Sequence, residues 1–237
     1  MIQLPPVTKA LLLANIGMFF ITNMMPGLEA LLTGYYFQSE NFGPWQLITY
    51  MFLHANLSHI FFNMFGVYMF GAAVEQYWGG KKFLIFYLIA GLGAFALHQL
   101  ITMYEVNQLV SQLSASDAQE VWSNGYNVLS QGKNYINLEM GKLNLALNIG
   151  MVGASGCLFG LLMAYGFMFP NAEMMLLFFP VPIKAKYFVL GYGAIELILG
   201  VSNRSGDNVA HFAHLGGMIA GYIMLKQMQS QGRLYSA

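Results

Sequence analysis

Six stretches of this chain, near 9–25, 53–73, 82–103, 145–168, 186–202 and 209–228, are apolar over close to the length that spanning a ~30 Å hydrocarbon core demands. A backbone inside lipid finds no water for its N–H and C=O groups, so such a segment crosses as an α-helix whose hydrogen bonds close within itself. Only 8% of the residues are charged against 57% hydrophobic, and Lys+Arg and Asp+Glu stand at 10 each. That balance excludes a soluble globular domain and gives no electrostatic footprint for nucleic acid. The reading is an all-α, multi-pass integral membrane protein: one membrane domain over 1–237 with six transmembrane helices and membrane lipids around it. The apolar run after Lys9 could pass for a signal peptide, but Thr22-Asn23-Met24-Met25-Pro26 offers no small-x-small cleavage site, so it is read as a retained span.

The loops orient the bundle. With a cytoplasmic N-terminus, Lys9, Lys81, Lys82, Lys184, Lys186, Lys226 and Arg233 fall inside and only Lys133, Lys142 and Arg204 fall outside. This is the positive-inside bias, and it puts both termini in the cytoplasm. Trp45 and Tyr50 at one end of the second span, and Tyr77 and Trp78 at the other, fit interfacial aromatic belts. Residues of about 104–144 are polar and form an external insert, in which Val106, Leu109 and Leu113 have the spacing of a short amphipathic helix on the outer face. Over 173–186, Pro180 and Pro182 interrupt an apolar run, which favours an interfacial strand or loop over a seventh span.

Against this background the polar residues inside the spans stand out. Gly153-Ala154-Ser155-Gly156 sits in the fourth, and a hydroxyl in hydrocarbon costs free energy unless a neighbour uses it. His211 and His214 lie in or beside the sixth span, so a nucleophile and its base are one account of the pair. At 1.5 Å per residue, His214 lies about 9 Å below a helix start near Asn208, and Ser155 about 15 Å below a start near 145. His59 and Asn63, four apart in the second span, share a helix face. They either tie neighbouring helices by hydrogen bonds or donate to an anion that forms during acyl transfer. Gly156 and Gly160 in the fourth span, and Gly217 and Gly221 in the sixth, make small-xxx-small faces that let backbones approach closely.

A metal site is disfavoured. The histidines could contribute ligands, but Glu75 and Glu196 are read as lying at other depths, and Cys157 points about 200° around the helix from Ser155 as a small packing residue. No metal and no cofactor is expected.

The run Trp45-Gln46-Leu47-Ile48-Thr49-Tyr50-Met51-Phe52-Leu53-His54, then His59-Ile60-Phe61-Phe62-Asn63, Gly153-Ala154-Ser155-Gly156, and Ala213-His214-Leu215-Gly216-Gly217 followed by Gly221, resembles the rhomboid intramembrane serine proteases in motif and order. The resemblance implies a six-helix bundle with a Ser-His dyad and no aspartate of a triad. Ser155 would be the nucleophile and His214 the base, with His59, Asn63 and the Ser155 backbone N–H as oxyanion hole. Phe159 would be the aromatic under the catalytic histidine, and Gly153, Gly156, Gly217 and Gly221 would support the site. His211 has no role in such a dyad and is read as a packing or water-binding residue.

The implied function is an intramembrane serine endopeptidase that cleaves transmembrane protein substrates near the outer membrane face, in the plasma (inner) membrane if the source is bacterial. A non-catalytic rhomboid-like binder of membrane helices, acting in quality control, is the alternative. A transporter would need carboxylates near the midplane, for which only Glu196 is available.

Overall fold

Helix α1 (Pro6–Met24) opens with a proline in its first turn, where the missing N–H costs nothing, and no residue at its own N-cap supplies a side-chain bond. The cap comes from far along the chain. Glu75 accepts from the Val7 N–H (2.9 Å), the Thr8 N–H (2.6 Å) and the Thr8 hydroxyl (2.7 Å), which places a carboxylate at the positive end of the helix dipole. The computed structural model describes residues 4–176, 179–202 and 211–234.

After α1 come α2 (Pro26–Leu32), the single turn α3 (Gln46–Thr49) and a 3-10 turn at Tyr50–Phe52. A continuous helical segment, Leu57–Trp78, then consists of α4 (Leu57–Gly66), a π turn at Val67–Gly71 and α5 (Ala72–Trp78). Next are α6 (Gly80–Gln112), α7 (Ala115–Ser130), α8 (Leu138–Asn148), α9 (Ser155–Met168), α10 (Ala185–Ser202) and α11 (His211–Ser230). Strands β1 (Glu173–Leu176) and β2 (Phe179–Lys184) pair antiparallel before α10, with Glu173 opposite Lys184 and an irregularity between Met174 and Leu176. The prolines of 173–186 therefore fall in a hairpin and no helix runs through them. This hairpin is an exception to a purely helical chain.

Among the described residues, four helices are long and apolar enough to cross a membrane: Pro6–Met24, Leu57–Trp78, Gly80–Gln112 and Ala185–Ser202. The expected span at 145–168 is not one helix. The chain leaves α8 at Asn148, runs extended with Gly34 and Met151 exchanging backbone hydrogen bonds at 3.0 Å, and re-enters helix only at Ser155. The separate amphipathic helix expected around Val106–Leu113 is also absent as such. Val106 and Leu109 continue α6, whose 33 residues reach about 50 Å and so project well past a ~30 Å core. Their apolar side chains meet Val121, Leu143, Leu147 and Tyr36 in a small second core beneath α7 and α8.

Two of the four aromatics expected in interfacial belts face inward. Trp45 and Tyr77 are exposed, whereas Tyr50 and Trp78 are buried. The Tyr50 hydroxyl donates to the Gly91 carbonyl at 2.7 Å, and the Trp78 indole donates to the Leu234 carbonyl at 2.8 Å. The second of these bonds, with the Glu75 cap, brings the start of α1 and the end of α11 to the same end of the bundle.

At the centre α6, α9 and α11 pack on one another. The contact is made of small residues. A Cβ added to Gly217 would stand 2.0 Å from the Gly156 carbonyl oxygen, one on Gly221 3.2 Å from the Gly160 Cα, and one on Gly160 2.3 Å from the Ala90 Cβ. A side chain at Gly217 or Gly160 would force its neighbours to shift, and one at Gly221 would press on the Gly160 backbone.

Candidate active site

Ser155 is the first residue of α9, with Ala154 as its N-cap. The first N–H groups of a helix have no partner within it, so Ser155 presents its hydroxyl beside unpaired backbone donors and the positive end of a dipole. The expected depth of about 15 Å below a helix start near 145 is corrected accordingly, because the helix starts at the serine itself. At its other end, Phe169 just past α9 packs on Tyr77 with ring centroids 5.0 Å apart, level with the end of Leu57–Trp78. Fourteen residues reach about 21 Å, so Ser155 stands about that far along the helix from this end. The proposed start near Asn208 for the histidine helix lies outside the described residues.

Gly153 lets the chain turn into that helix. Its φ of 128° is one that L side chains rarely adopt, its N–H donates to the Tyr50 carbonyl at 2.9 Å, and an added Cβ would stand 2.8 Å from His59 Nε2. His59 thus lies directly over the Gly-Ala-Ser turn. Its Nδ1 accepts from the Ala55 N–H at a long 3.4 Å, which assigns the ring proton to Nε2, the nitrogen facing the turn. Asn56 caps α4 by accepting from the His59 N–H at 2.9 Å and so fixes where the ring begins. Asn63 is buried and donates to the His59 carbonyl at 3.0 Å. These bonds stay within residues 55–63, so neither side chain ties its helix to a neighbour through them. No hydrogen bond joins Asn63 to Ser155 or His214 among the described residues.

From α11, His214 directs Nε2 at Ser155 Oγ across 2.9 Å. Phe159, one turn after the serine, stacks on the His214 ring with centroids 4.2 Å apart and planes 6° from parallel. The ring is therefore held on one face by an aromatic and on its edge by the serine. Close approach of α9 and α11 through Gly156 and Gly217 is what lets a short serine reach the imidazole.

Glu196 was missed, and its placement overturns the reading that it lies at another depth. Its Oε2 is 2.9 Å from His214 Nδ1 and 2.6 Å from His211 Nδ1, and all three residues are buried. His211 is accordingly a partner of this carboxylate, beyond the packing role expected of it. The expected absence of a carboxylate beside the dyad does not hold in this geometry. The three donor atoms lie within 4.8 Å of one another, so the set has the chemistry to hold a cation as well as to share protons. The sequence did carry a signal: Glu196 is the lone acidic residue in an otherwise apolar span, and an ionisable group there is a functional candidate with a partner to be found. Glu75 does lie elsewhere, in α5 at the far end where it caps α1, and Cys157 is buried, its Sγ 2.7 Å from where a Cβ on Gly91 would stand.

Residues 41–228 match the Rhomboid domain. The chain is 28% identical over 190 residues to RHOMBOID-like protein 6, mitochondrial, of Arabidopsis thaliana, covering 78% of this chain and 45% of that protein. It is 26% identical over 216 residues to RHOMBOID-like protein 12, mitochondrial, of the same plant, covering 89% and 55%. Rhomboid protease GlpG of Klebsiella pneumoniae is 32% identical over 97 residues, 40% of this chain and 35% of that protein. The matched region thus spans about half the length of the two plant relatives. With a family match over most of its length, the chain belongs to the rhomboid family.

Proposed function

We propose that this chain is a serine endopeptidase that cleaves transmembrane segments of other membrane proteins near one membrane face. The observation that carries this reading is the 2.9 Å contact between Ser155 Oγ and His214 Nε2 at the N-terminus of a buried helix. Ser155 Oγ attacks the scissile carbonyl carbon as its proton passes to His214 Nε2. The oxyanion is met by the Ser155 N–H, His59 Nε2–H and, after a side-chain rotation, the Asn63 amide. Collapse breaks the C–N bond, and His214 gives its proton to the departing nitrogen. Water, deprotonated by the same ring, then releases the acyl group and restores the serine. None of these steps calls for a cofactor.

The scissile carbonyl must leave its own helix to be attacked, since helical carbonyls are bonded and shielded. Substrates with Gly, Ala, Ser or Pro near the membrane boundary suit this requirement. The bundle is proposed to cross six times, with both termini in the cytoplasm, as one membrane domain carrying the helical insert of 104–144. The positive-inside bias supports this, as does the joining of Trp78 to Leu234 and of Glu75 to Thr8 at one end. Helix α9 is apolar but only 14 residues long and is surrounded by the other helices, while α11 turns Ile219, Tyr222 and Ile223 outward, so both are proposed to cross as part of the bundle. Placement in a bacterial plasma membrane finds no support in relatives named for mitochondria, so the proposal is confined to an integral, multi-pass membrane protein.

A serine-directed fluorophosphonate and a transmembrane substrate test the reading. The purified chain should label at Ser155 and cleave, and Ser155→Ala should lose both while keeping its melting temperature, because one hydroxyl changes packing little. Cleavage by Ser155→Ala at the wild-type rate would remove the assignment. Substrate capture without labelling or cleavage by the wild type would favour a non-catalytic helix binder.

A further inference from the structure

We propose that Glu196 completes a three-membered relay, Ser155–His214–Glu196, as the positioning residue for the base, with His211 as a second donor to the same carboxylate. The inference rests on the endopeptidase reading and deepens it. A carboxylate only accepts hydrogen bonds, and one oxygen of Glu196 faces His214 Nδ1 at 2.9 Å and His211 Nδ1 at 2.6 Å. Both nitrogens therefore carry protons. A neutral imidazole protonated at Nδ1 has its lone pair on Nε2, and in His214 that nitrogen is the one 2.9 Å from Ser155 Oγ. Glu196 thus selects the tautomer that can take the serine proton.

The carboxylate also acts when the ring becomes charged. As Oγ bonds to the substrate carbonyl, its proton moves to Nε2 and the ring becomes an imidazolium whose Nδ1–H still points at Glu196. No proton passes to the glutamate. Opposite charges this close in a site shielded from water interact far more strongly than in solution. Phe159 fixes the plane of the ring and Glu196 fixes its rotation within that plane, so both orientational freedoms of the base are restrained.

The surroundings say why such a residue is unusual here. Ile195, Leu197 and Ile198 on α10 are exposed and suit lipid, while Ala185, Val189 and Glu196 form its buried stripe. A carboxylate on that stripe is costly unless fully partnered. Two N–H donors on one oxygen meet the requirement, which gives His211 its place: it shares the cost of burying the charge that orients His214.

The test uses the full-length protein in detergent or liposomes, with fluorophosphonate labelling at Ser155, cleavage kinetics and melting temperature read together. Glu196→Gln keeps size and an accepting oxygen but loses the charge, and its amide can donate to Nδ1 and stabilise the wrong tautomer. It should lower kcat on the order of 10²–10⁴-fold, with KM changed by less than about threefold and melting little altered. Glu196→Asp keeps the charge at a shorter reach, and its kcat should lie between those of wild type and the Gln variant.

A carboxylate that only ties α10 to α11 predicts the reverse for Gln, since the tie survives. Labelling and turnover of Glu196→Gln within about threefold of wild type, or an Asp variant slower than the Gln variant, would overturn the relay. A chelator should leave the wild-type rate unchanged. Loss of activity on chelation, restored by Zn²⁺, would mean that the three donors hold a cation, and the relay would fall. A wild type that neither labels nor cleaves removes the endopeptidase reading itself, whatever the Glu196 variants do.

Discussion

His59 takes the Ala55 N–H on Nδ1 and is left with a donor on Nε2, over a glycine that no other residue could replace without striking the ring. A proton fixed by a local bond, on a nitrogen facing the turn before Ser155, suits a group that waits for charge to appear. His59→Ala and Asn63→Ala should each reduce kcat by about 10–1000-fold with little change in KM, because donors aimed at a developing oxyanion act mainly in the transition state. Raised KM at unchanged turnover would show that they only shape the pocket. The two histidines of α11 are distinguishable at the same scale. His214→Ala removes the proposed base and should abolish labelling of Ser155. His211→Ala leaves His214 Nδ1 its bond to Glu196 and should keep a substantial part of the rate, and the opposite ranking would reassign the base.

Helix α9 delivers its serine by starting at it, and α11 delivers its histidine by coming close. Gly217 is where the second condition is met, since an added Cβ would stand 2.0 Å from the Gly156 carbonyl oxygen, with backbone and no flexible side chain in the way. Gly217→Val should force the helices apart and carry His214 from Ser155. A 1 Å misplacement can cost on the order of 100-fold in rate. Overpacking should also destabilise the fold by about 1–3 kcal/mol, read as a lower melting temperature. Met218, about 100° around the helix from Gly217, is buried in a cluster with Phe159 and Val189, so shortening it leaves a gap beside the site. Ile219 is half-exposed two residues on, and Ile219→Val is the proper comparison: equal tolerance of the two valines would mean that the Gly156–Gly217 contact does not set the dyad distance.

Across the whole molecule, the end opposite the site is closed by long-range bonds between segments that the chain order keeps far apart. Glu75 caps α1, Trp78 holds Leu234, and Lys82 donates to the Arg233 carbonyl. Glu75→Ala strands the Val7 and Thr8 donors, and bonds to a charged acceptor are worth about 1.5–3 kcal/mol each before non-additivity. Thermal stability should fall clearly while labelling of Ser155 per folded molecule is unchanged; a matching loss of labelling would show that the two ends are coupled. Membrane class, the long apolar helices and the pairing of Ser155 with His214 are legible along the chain, because apolar length, glycine spacing and polar groups in lipid are local properties that one segment displays. The chain also holds Ser155, His214, His59 and Asn63 in the order of a known family. That 145–168 breaks so that a helix begins at Ser155, that Tyr50 and Trp78 face inward, and that Glu196 reaches both histidines, is visible only once the helices are packed. Depth and rotation of side chains on separate helices depend on how closely those helices pack, and that is set by contacts between backbones distant in sequence, which no periodicity within one segment records.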